Sequence, residues 1–482
     1  MIRLKTLLKQ VRFSSAYTGE DLIFSRLDYD SRKVAPGSLF VAIKGFHSDG
    51  HEYVRDAVAR GAVACVVEHP VDCACPQVVV ENTRIALAEL SYRFYRTAEA
   101  PFALTGITGT NGKTTIAHLL YQLAEAEGLT PALIGTLGVK TPYQKQEGER
   151  TTPESIELAG LFDGFARQNV NAVFMEVSSH AIALHRVRTL LFNAAVFTNL
   201  TQDHLDFHRN MEDYFLTKSH LFDQLKPGGA GIVNTDDPYG KRLYASLKTP
   251  RVSYAVNDVS ADVHFRSLSL SVHGIHGELR TRKGTVQVAA PLLGAFNAEN
   301  IAGGIACWQS LFPDSTLDLD YFPFKPIAGR MEMVPTRRGT AVIDYAHTPD
   351  AMEKALKTAS ALEGRKRLIT LFGCGGDRDH GKRPLMGAVA EKYADTIILT
   401  NDNPRNEQPQ LIAKAIMKGM RSAGRVSVCL DRREAIVRAY QNSEPGDLLM
   451  ILGKGAETYM EIKGERIPFN DKEIIEQLET SS

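Results

Sequence analysis

The chain carries no excess of either charge: Lys plus Arg and Asp plus Glu both number 56 in 482 residues. Without a global basic field it has no general attraction for nucleic acid or an anionic membrane surface, so any polyanion must be held by a local site. Cysteine is scarce, with six residues at 65, 73, 75, 307, 374 and 429. Only Cys73 and Cys75 are close, and no C-x-x-C pair or second pair frames a structural zinc. Sparse thiols without a framework point to a reducing compartment. No apolar run reaches the roughly 18 residues that span a bilayer. The opening MIRLKTLLKQVRF spaces Ile2, Leu4, Leu7, Leu8 and Val11 at helical intervals between basic residues, without the continuous apolar core of a signal peptide. Low-complexity tracts and short repeats are also missing. These absences predict a soluble, cytoplasmic protein with neither nucleic acid nor membrane as partner, and nothing in the pattern demands more than a monomer.

What is present is alternation. The length predicts about three domains. Up to residue 98, the apolar runs LFVAI, AVACVV and PQVVV alternate with helical stretches, which predicts a small α/β domain. Over 99–327, FALTGITG leads through a glycine turn into the amphipathic TTIAHLLYQLAEAEG, and NAVFMEVSS and AAVFTNLT are further buried strands. This predicts a P-loop-type, doubly wound parallel sheet whose ligands lie at the carboxyl ends of its strands. A stretch near 251–290 alternates apolar and polar residues in the manner of half-buried strands. After the hinge-like FPFKPIAGR, TAVIDYAH, RLITLFG, DTIILTND and DLLMILGKG predict a third, Rossmann-like α/β domain over 328–482.

The stretch GITGTNGKTT is a phosphate cradle by its chemistry. Glycines let backbone amides approach phosphate oxygens, and the helix start contributes partial positive charge. Lys113 reaches the terminal phosphates, and Thr114 offers a hydroxyl to Mg²⁺. Yet G-x-x-x-x-G-K-[ST] requires glycine where this chain has Ile107. Glu176 ends the strand NAVFME, where a carboxylate can hold Mg²⁺ or a water; alone it is also an ordinary strand end. The next strand ends in TNLTQDHLDFH, which gathers Asp203, His204, Asp206 and His208. The i, i+4 histidines raise zinc, but no glutamate stands between them as in H-E-x-x-H, so magnesium is preferred.

TGTNGKTT, MEVSSHA, FTNLTQDHLDFH, GRMEMV, DYAHTPD and GCGGDRD follow one another in the order found in the Mur ligase family, which the chain resembles over nearly its whole length. DSR and the following GSLFVAIKG, with DNPR at 402–405, most resemble the members that add a diamino acid to a UDP-muramoyl-dipeptide. The resemblance implies an ATP-dependent amide ligase of peptidoglycan precursor synthesis that works through an acyl phosphate, with ATP and Mg²⁺ required. It implies that residues 1–98 bind the UDP substrate, 99–327 the ATP and 328–482 the amino acid.

Residue by residue, it implies a nucleotide cradle of Gly109, Thr110, Asn111, Gly112, Lys113, Thr114 and Thr115, with Asn297, Asn300, Arg330 and Asp344 as further nucleotide contacts. Thr114, Glu176 and His204 become metal ligands. Lys218 becomes the lysine that family members carry as a carbamate, although by itself it reads as a surface helix lysine. Ser31, Phe46, His47 and Ser48 match contacts to the uridine and pyrophosphate end, and Thr151, Thr152, Ser178 and Arg186 contacts nearer the sugar and peptide. Leu184 departs from the glutamine of some relatives, which removes one polar contact.

The amino-acid pocket follows as Arg378, Asp402, Asn403, Pro404, Arg405, Gly453 and Glu457. DNPR accompanies members that add meso-diaminopimelate, whose second carboxylate suits the arginine fork. Glu457 is available to the distal ammonium. The family's G-K-G-H-E has Ala456 in place of histidine here. Addition of L-lysine and a folylpolyglutamate synthetase-like ligase are the remaining alternatives. A nucleotide switch would not need a third α/β domain with a carboxylate-reading arginine, while a small-molecule kinase stays open, since the loop alone says only phosphoryl transfer.

Overall fold

The computed structural model describes residues 2–8, 19, 21–45, 48–97, 101–148, 150–205 and 207–480. The chain forms two compact units: Met1–Tyr254 with Gly303–Leu317, and Ala255–Ala302 with Asp318–Ser482.

The first unit opens with a four-stranded sheet in the order Arg26–Asp28, Ser38–Val41, Ala62–Val67, Gln77–Val79, parallel throughout. Its strands are short β-branched and aliphatic runs, and Ser38–Val41 is buried at every position, as expected when helices cover both faces. Asn82 starts the helix Thr83–Phe94 by accepting from the amides of Arg84 and Ile85 at 2.9 and 3.0 Å, which satisfies two otherwise orphaned donors.

A larger parallel sheet follows, in the order Pro131–Gly135, Ala172–Glu176, Ala103–Thr108, Phe192–Phe197, Leu225–Asn234, Arg251–Ala255. The antiparallel strands Gly138–Lys140 and Lys145–Gln146 extend its first edge. Ala103–Thr108 has later strands on both sides, so the chain winds first to one side of it and then to the other. That reversal opens a crevice at the strands' carboxyl ends, which is where the predicted cradle begins. Phe162, Phe174, Phe192 and Tyr214 are among the largest side chains removed from solvent.

The second unit contains a six-stranded sheet in the order Glu332–Thr336, Gly339–Asp344, Leu448–Leu452, Leu368–Phe372, Thr396–Leu399, Val426–Val428. The first pair is an antiparallel hairpin and the rest are parallel. The four strands expected here are the four central ones. The two edge strands escaped the apolar pattern, Glu332–Thr336 because it carries Glu332 and Pro335 and Val426–Val428 because it is only three residues long. Val263–Ser271, Gly274–Thr281 and Gly284–Ala290 form an antiparallel meander, matching the alternation near 251–290. No helix among the described residues is long and apolar enough to cross a membrane.

Candidate functional site

The cradle begins one residue after the strand Ala103–Thr108 ends, which explains the missing glycine. Ile107 lies inside that strand and is fully buried, so its side chain belongs to the core. The glycine that matters is Gly109, with φ +141° and an ideal Cβ only 1.8 Å from Thr198 Oγ1. Gly109→Ala should therefore distort the cradle and cost about 1–3 kcal/mol of stability. Denaturant unfolding checks this, and an unchanged midpoint would show that the loop yields freely.

The loop is pinned from behind by the end of Phe192–Phe197. Thr110 N donates to Asn199 O at 2.8 Å, Asn111 N to Asn199 Oδ1 at 3.0 Å, and Thr198 Oγ1 to Asn111 O at 2.5 Å. Gly112 has φ +86° and passes the chain into the helix Lys113–Ala126. First-turn amides of a helix lack intrahelical acceptors, so those of Lys113, Thr114 and Thr115 are suited to an anion. Lys113 Nζ donates to Gly109 O and Thr110 O at 2.9 and 2.8 Å, and folds back over the loop it serves.

Thr114 and Glu176 are brought together as expected. Thr114 Oγ1 donates to Glu176 Oε2 at 3.0 Å, and the carboxylate also accepts from Thr136 N at 2.9 Å and Thr136 Oγ1 at 3.1 Å. An alanine at 135 would place its Cβ 2.2 Å from Glu176 Oε1, so Gly135 is what lets the carboxylate lie flat against the neighbouring strand. Thr136 carried no motif and was not anticipated. Its hydroxyl also meets that of Thr151 at 3.1 Å.

Lys218 contradicts its reading as a surface helix lysine. It is on the helix Met211–Ser219 but only 1% exposed. Its Nζ donates to Gly109 O at 2.9 Å and lies 4.6 Å from the Tyr214 ring centroid. Burial, reinforced by the charge of Lys113, holds this amine well below the usual lysine range. A buried amine without an ion-paired carboxylate among the described residues is chemically primed to be neutral, and a neutral amine is what adds CO₂.

The two histidines of the following loop diverge. His208 is buried with Nε2 2.9 Å from Ser179 Oγ, whereas His204 is exposed with φ +53° and its ring edge-on to His180. They do not form the pair a zinc reading needs, and no group of three or more His, Cys, Asp or Glu among the described residues is arranged for a metal. Asp206 lies outside the described residues. Of the residues predicted to hold a cation, the Thr114 hydroxyl and the Glu176 carboxylate meet, and these are hard oxygen donors of the kind that suits magnesium better than zinc.

Thr152, Ser178 and Arg186 also converge. Thr152 Oγ1 donates to Glu176 O at 2.9 Å and accepts from Ser178 N at 3.1 Å, while Arg186 Nη1 donates to Thr152 O at 3.0 Å. Ser178 caps the helix Ser179–Ala183 and Leu184 closes it. Arg186 and Arg84 both face Glu154, at 2.8 and 3.5 Å. Arg150 faces Glu157 at 3.8 Å, and Tyr29 donates to the same carboxylate at 2.8 Å. Three arginines against two glutamates leave one positive charge over, which suits an anionic substrate. Ser31 opens the short 3₁₀ turn Ser31–Lys33, Ser48 O accepts from Gly45 N at 2.9 Å, and Phe46 and His47 lie outside the described residues.

In the second unit, Asn297 and Asn300 are buried at the start of the helix Ala295–Leu311, with Asn300 Nδ2 donating to Asn297 Oδ1 at 3.0 Å. Arg330 stacks over the Tyr345 ring at 5.1 Å. Asp344 accepts from the amides of Met331 and Ala346, yet burial raises its carboxyl above the usual range.

Of the residues predicted for the amino-acid pocket, Asp402, Asn403, Pro404, Arg405, Gly453 and Glu457 lie near the ends of Thr396–Leu399 and Leu448–Leu452. Asn403 is the hub: its Nδ2 donates to Glu457 Oε2 at 2.9 Å, and its Oδ1 accepts from Lys454 Nζ at 3.1 Å and Glu461 N at 2.8 Å. Arg405 has φ +50°, which turns its side chain back over the sheet end. It donates through Nε to Glu461 Oε2 at 2.9 Å and through Nη1 to Gly376 O at 2.8 Å. Pro404 stiffens the turn, and its carbonyl is 1.9 Å from where a Cβ on Gly376 would lie. Gly453, with φ +109°, leaves room for Asp402, whose Oδ2 would be 2.7 Å from a Cβ there. Burial raises the Asp402 carboxyl above the usual range. Arg378 is exposed and is not drawn into this network.

Besides Thr136 and Glu461, three further contributors were missed. Lys454, inside the G-K-G motif, is 1% exposed and meets Glu457 Oε2 at 2.7 Å, so Glu457 already has one cationic partner. Arg383 pairs with Glu407 at 2.7 Å and holds that carboxyl down at about 2. Arg432 and Asp471 form a fully buried ion pair at 2.7 Å, and Arg432 also donates to Asn401 O and Leu452 O at 3.0 Å. This guanidinium ties together two strand ends that border the pocket. Its sequence context, Asp-Arg-Arg-Glu at a helix start, resembles a solvated surface. Arg432→Ala should cost about 3–5 kcal/mol by stranding the Asp471 charge. A loss below about 1 kcal/mol in chemical unfolding would show that the pair is not structural.

Comparison with known proteins places the chain. The Mur ligase middle domain matches residues 107–308, the Mur ligase glutamate ligase domain 329–455, and the Mur ligase family catalytic domain 24–95. The UDP-N-acetylmuramoyl-L-alanyl-D-glutamate--2,6-diaminopimelate ligase of Aquifex aeolicus (strain VF5) is 40% identical over 451 residues, covering 93% of this chain and 92% of that protein. The protein of the same name from Solibacter usitatus (strain Ellin6076) is 42% identical over 460 residues, covering 94% and 92%. A solved structure of a ligase of that name matches with a TM-score of 0.69 at 31% identity, covering 100% of this chain and 99% of that one. The order of motifs, the three-part α/β architecture and these matches agree: the chain belongs to the Mur ligase family.

Proposed function

We propose that this protein joins meso-diaminopimelate to UDP-N-acetylmuramoyl-L-alanyl-D-glutamate with hydrolysis of ATP, as an early cytoplasmic step of peptidoglycan precursor synthesis. The observation that carries the diamino acid is Arg405. Two of its nitrogens are engaged by Glu461 and Gly376 O, which fixes the guanidinium plane and leaves its outer edge for the second carboxylate that diaminopimelate has and lysine lacks. Glu457 then faces the distal ammonium, its charge shared with Lys454. Leu184 offers the sugar-peptide no polar contact.

The chemistry follows from a carboxylate being a poor electrophile. Lys113 and the first-turn amides of Lys113–Ala126 bind the triphosphate, and the substrate carboxylate takes the γ-phosphoryl group to become an acyl phosphate. The incoming amine attacks that carbonyl, and phosphate leaves from the tetrahedral intermediate. Thr114, Glu176, His204 and carbamylated Lys218 are proposed to hold magnesium, which when bound neutralises charge on the transferring phosphoryl group. Asn297, Arg330 and Asp344 are proposed nucleotide contacts. Residues 1–98, 99–327 and 328–482 are proposed to serve the UDP substrate, the ATP and the amino acid respectively.

ADP release with purified protein tests this reading. It should require both the UDP-muramoyl-dipeptide and a free amino acid, with diaminopimelate strongly preferred over L-lysine. Equal use of lysine would move the reading to a lysine-adding ligase. Turnover to a phosphorylated product without any amino acid would sink it.

A further inference from the structure

Three of the six cysteines, all free, lie together in the N-terminal sheet, and none of them carries a role assigned above. Cys65 is fully buried in the strand Ala62–Val67, and Cys73 and Cys75 are half-buried in the loop that leads to Gln77–Val79. Cys75 Sγ is 3.3 Å from Cys65 Sγ and 3.7 Å from Cys73 Sγ. The backbones on either side are already joined: Cys65 N donates to Pro76 O at 3.0 Å, and Cys65 pairs with Gln77 in the parallel register. Gln77 also holds the loop, donating to Val71 O at 2.6 Å and to Cys73 Sγ at 3.2 Å. Cys73 is therefore engaged by an amide, while Cys75 faces the buried thiol.

We propose that Cys75 and Cys65 form a peroxide-reactive pair in which Cys75 is the sulfur attacked and Cys65 resolves it as an intramolecular disulfide. The geometry separates the roles, since only Cys75 has both access to solvent and a thiol within 3.3 Å that is itself closed to solvent. The two sulfurs need to approach by only about 1 Å to reach the roughly 2.05 Å of a disulfide. The hydrogen bond from Cys65 lowers the Cys75 thiol to about 7, and the same contact with burial raises Cys65. Charge thus collects on the accessible sulfur, the form that reacts.

The steps balance. The Cys75 thiolate attacks a peroxide oxygen, the O–O bond breaks, and the departing hydroxide takes up the proton Cys75 lost on ionising. Cys75 is now a sulfenic acid, oxidised by two electrons. The Cys65 sulfur attacks it, the S–O bond breaks, and hydroxide leaves with the Cys65 proton as water. One hydrogen peroxide and two thiols become one disulfide and two waters. In a reducing compartment the bond is transient and reversed by thiols.

Equimolar hydrogen peroxide on the full-length protein, followed by thiol counting and peptide mapping without reductant, tests the pair. Two of the six thiols should disappear, a Cys65–Cys75 crosslink should appear, and dithiothreitol should reverse both. Cys65→Ala should leave a dimedone-reactive sulfenic acid on Cys75, and Cys75→Ser should slow thiol loss about tenfold. A Cys73–Cys75 crosslink in the unsubstituted protein, or equal thiol loss in Cys75→Ser, would overturn the assignment. Should Cys65→Ala fail to fold, the map of the unsubstituted protein decides by itself.

Discussion

Lys218→Ala should lower ligation by more than about 100-fold, exceeding the usual cost of losing even an outer-shell partner of a metal, and bicarbonate or short carboxylates should restore part of it. The reason is the state of the amine. Lys218 is removed from water and lies within the field of Lys113, which together hold its amine well below the usual lysine range, and its Nζ has Gly109 O as hydrogen-bond partner. Under the proposed function the Nζ lone pair would add CO₂ and lose a proton, turning a group that would repel a cation into an anionic oxygen donor. Short carboxylates should partly rescue the alanine variant by filling the vacated space with the missing charge. The unsubstituted protein should lose activity in CO₂-depleted buffer and regain it with bicarbonate. Full activity of the variant without any rescue would show that no carbamate is needed.

Arg405→Ala should raise the KM for meso-diaminopimelate about 30- to 150-fold, corresponding to about 2–3 kcal/mol for a charge-assisted contact, and leave the KM for ATP nearly unchanged. Arg405→Lys should recover only part, because an ammonium keeps the charge and loses the planar fork. The substitution also frees Glu461, so Glu461→Gln is the necessary control: it keeps a partner for Nε and should cost far less. Selectivity against L-lysine should collapse with the arginine, since lysine never used that edge. Equal losses for both substrates would place Arg405 outside the amino-acid pocket.

Most of the parallel strands were legible because a strand buried on both faces reads as an uninterrupted aliphatic run, as in AVACVV and LLMIL. Glu332–Thr336 and Val426–Val428 were not, since edge strands need only one covered face and tolerate charge and proline. In the site, Thr114, Glu176, Thr152, Ser178, Asn403 and Arg405 were legible through motif and position at strand ends. Thr136 had no signal, because its role arises from Pro131–Gly135 lying beside Ala172–Glu176 in the sheet. Lys454 was visible only as part of a motif whose glycine and glutamate drew attention.

By itself the sequence determined the strand-turn-helix of the cradle, the α/β class and the chemistry available at each strand end. These depend on residues near one another in the chain, where propensity, glycine and capping act. Tertiary structure alone decided which charged groups lose their water. Lys218 and Arg432 occupy polar helices indistinguishable by pattern from solvated ones, yet both are buried. Burial is set by distant segments packing over a side chain; it holds the Lys218 amine well below its usual range and makes Arg432 a clamp between two strand ends.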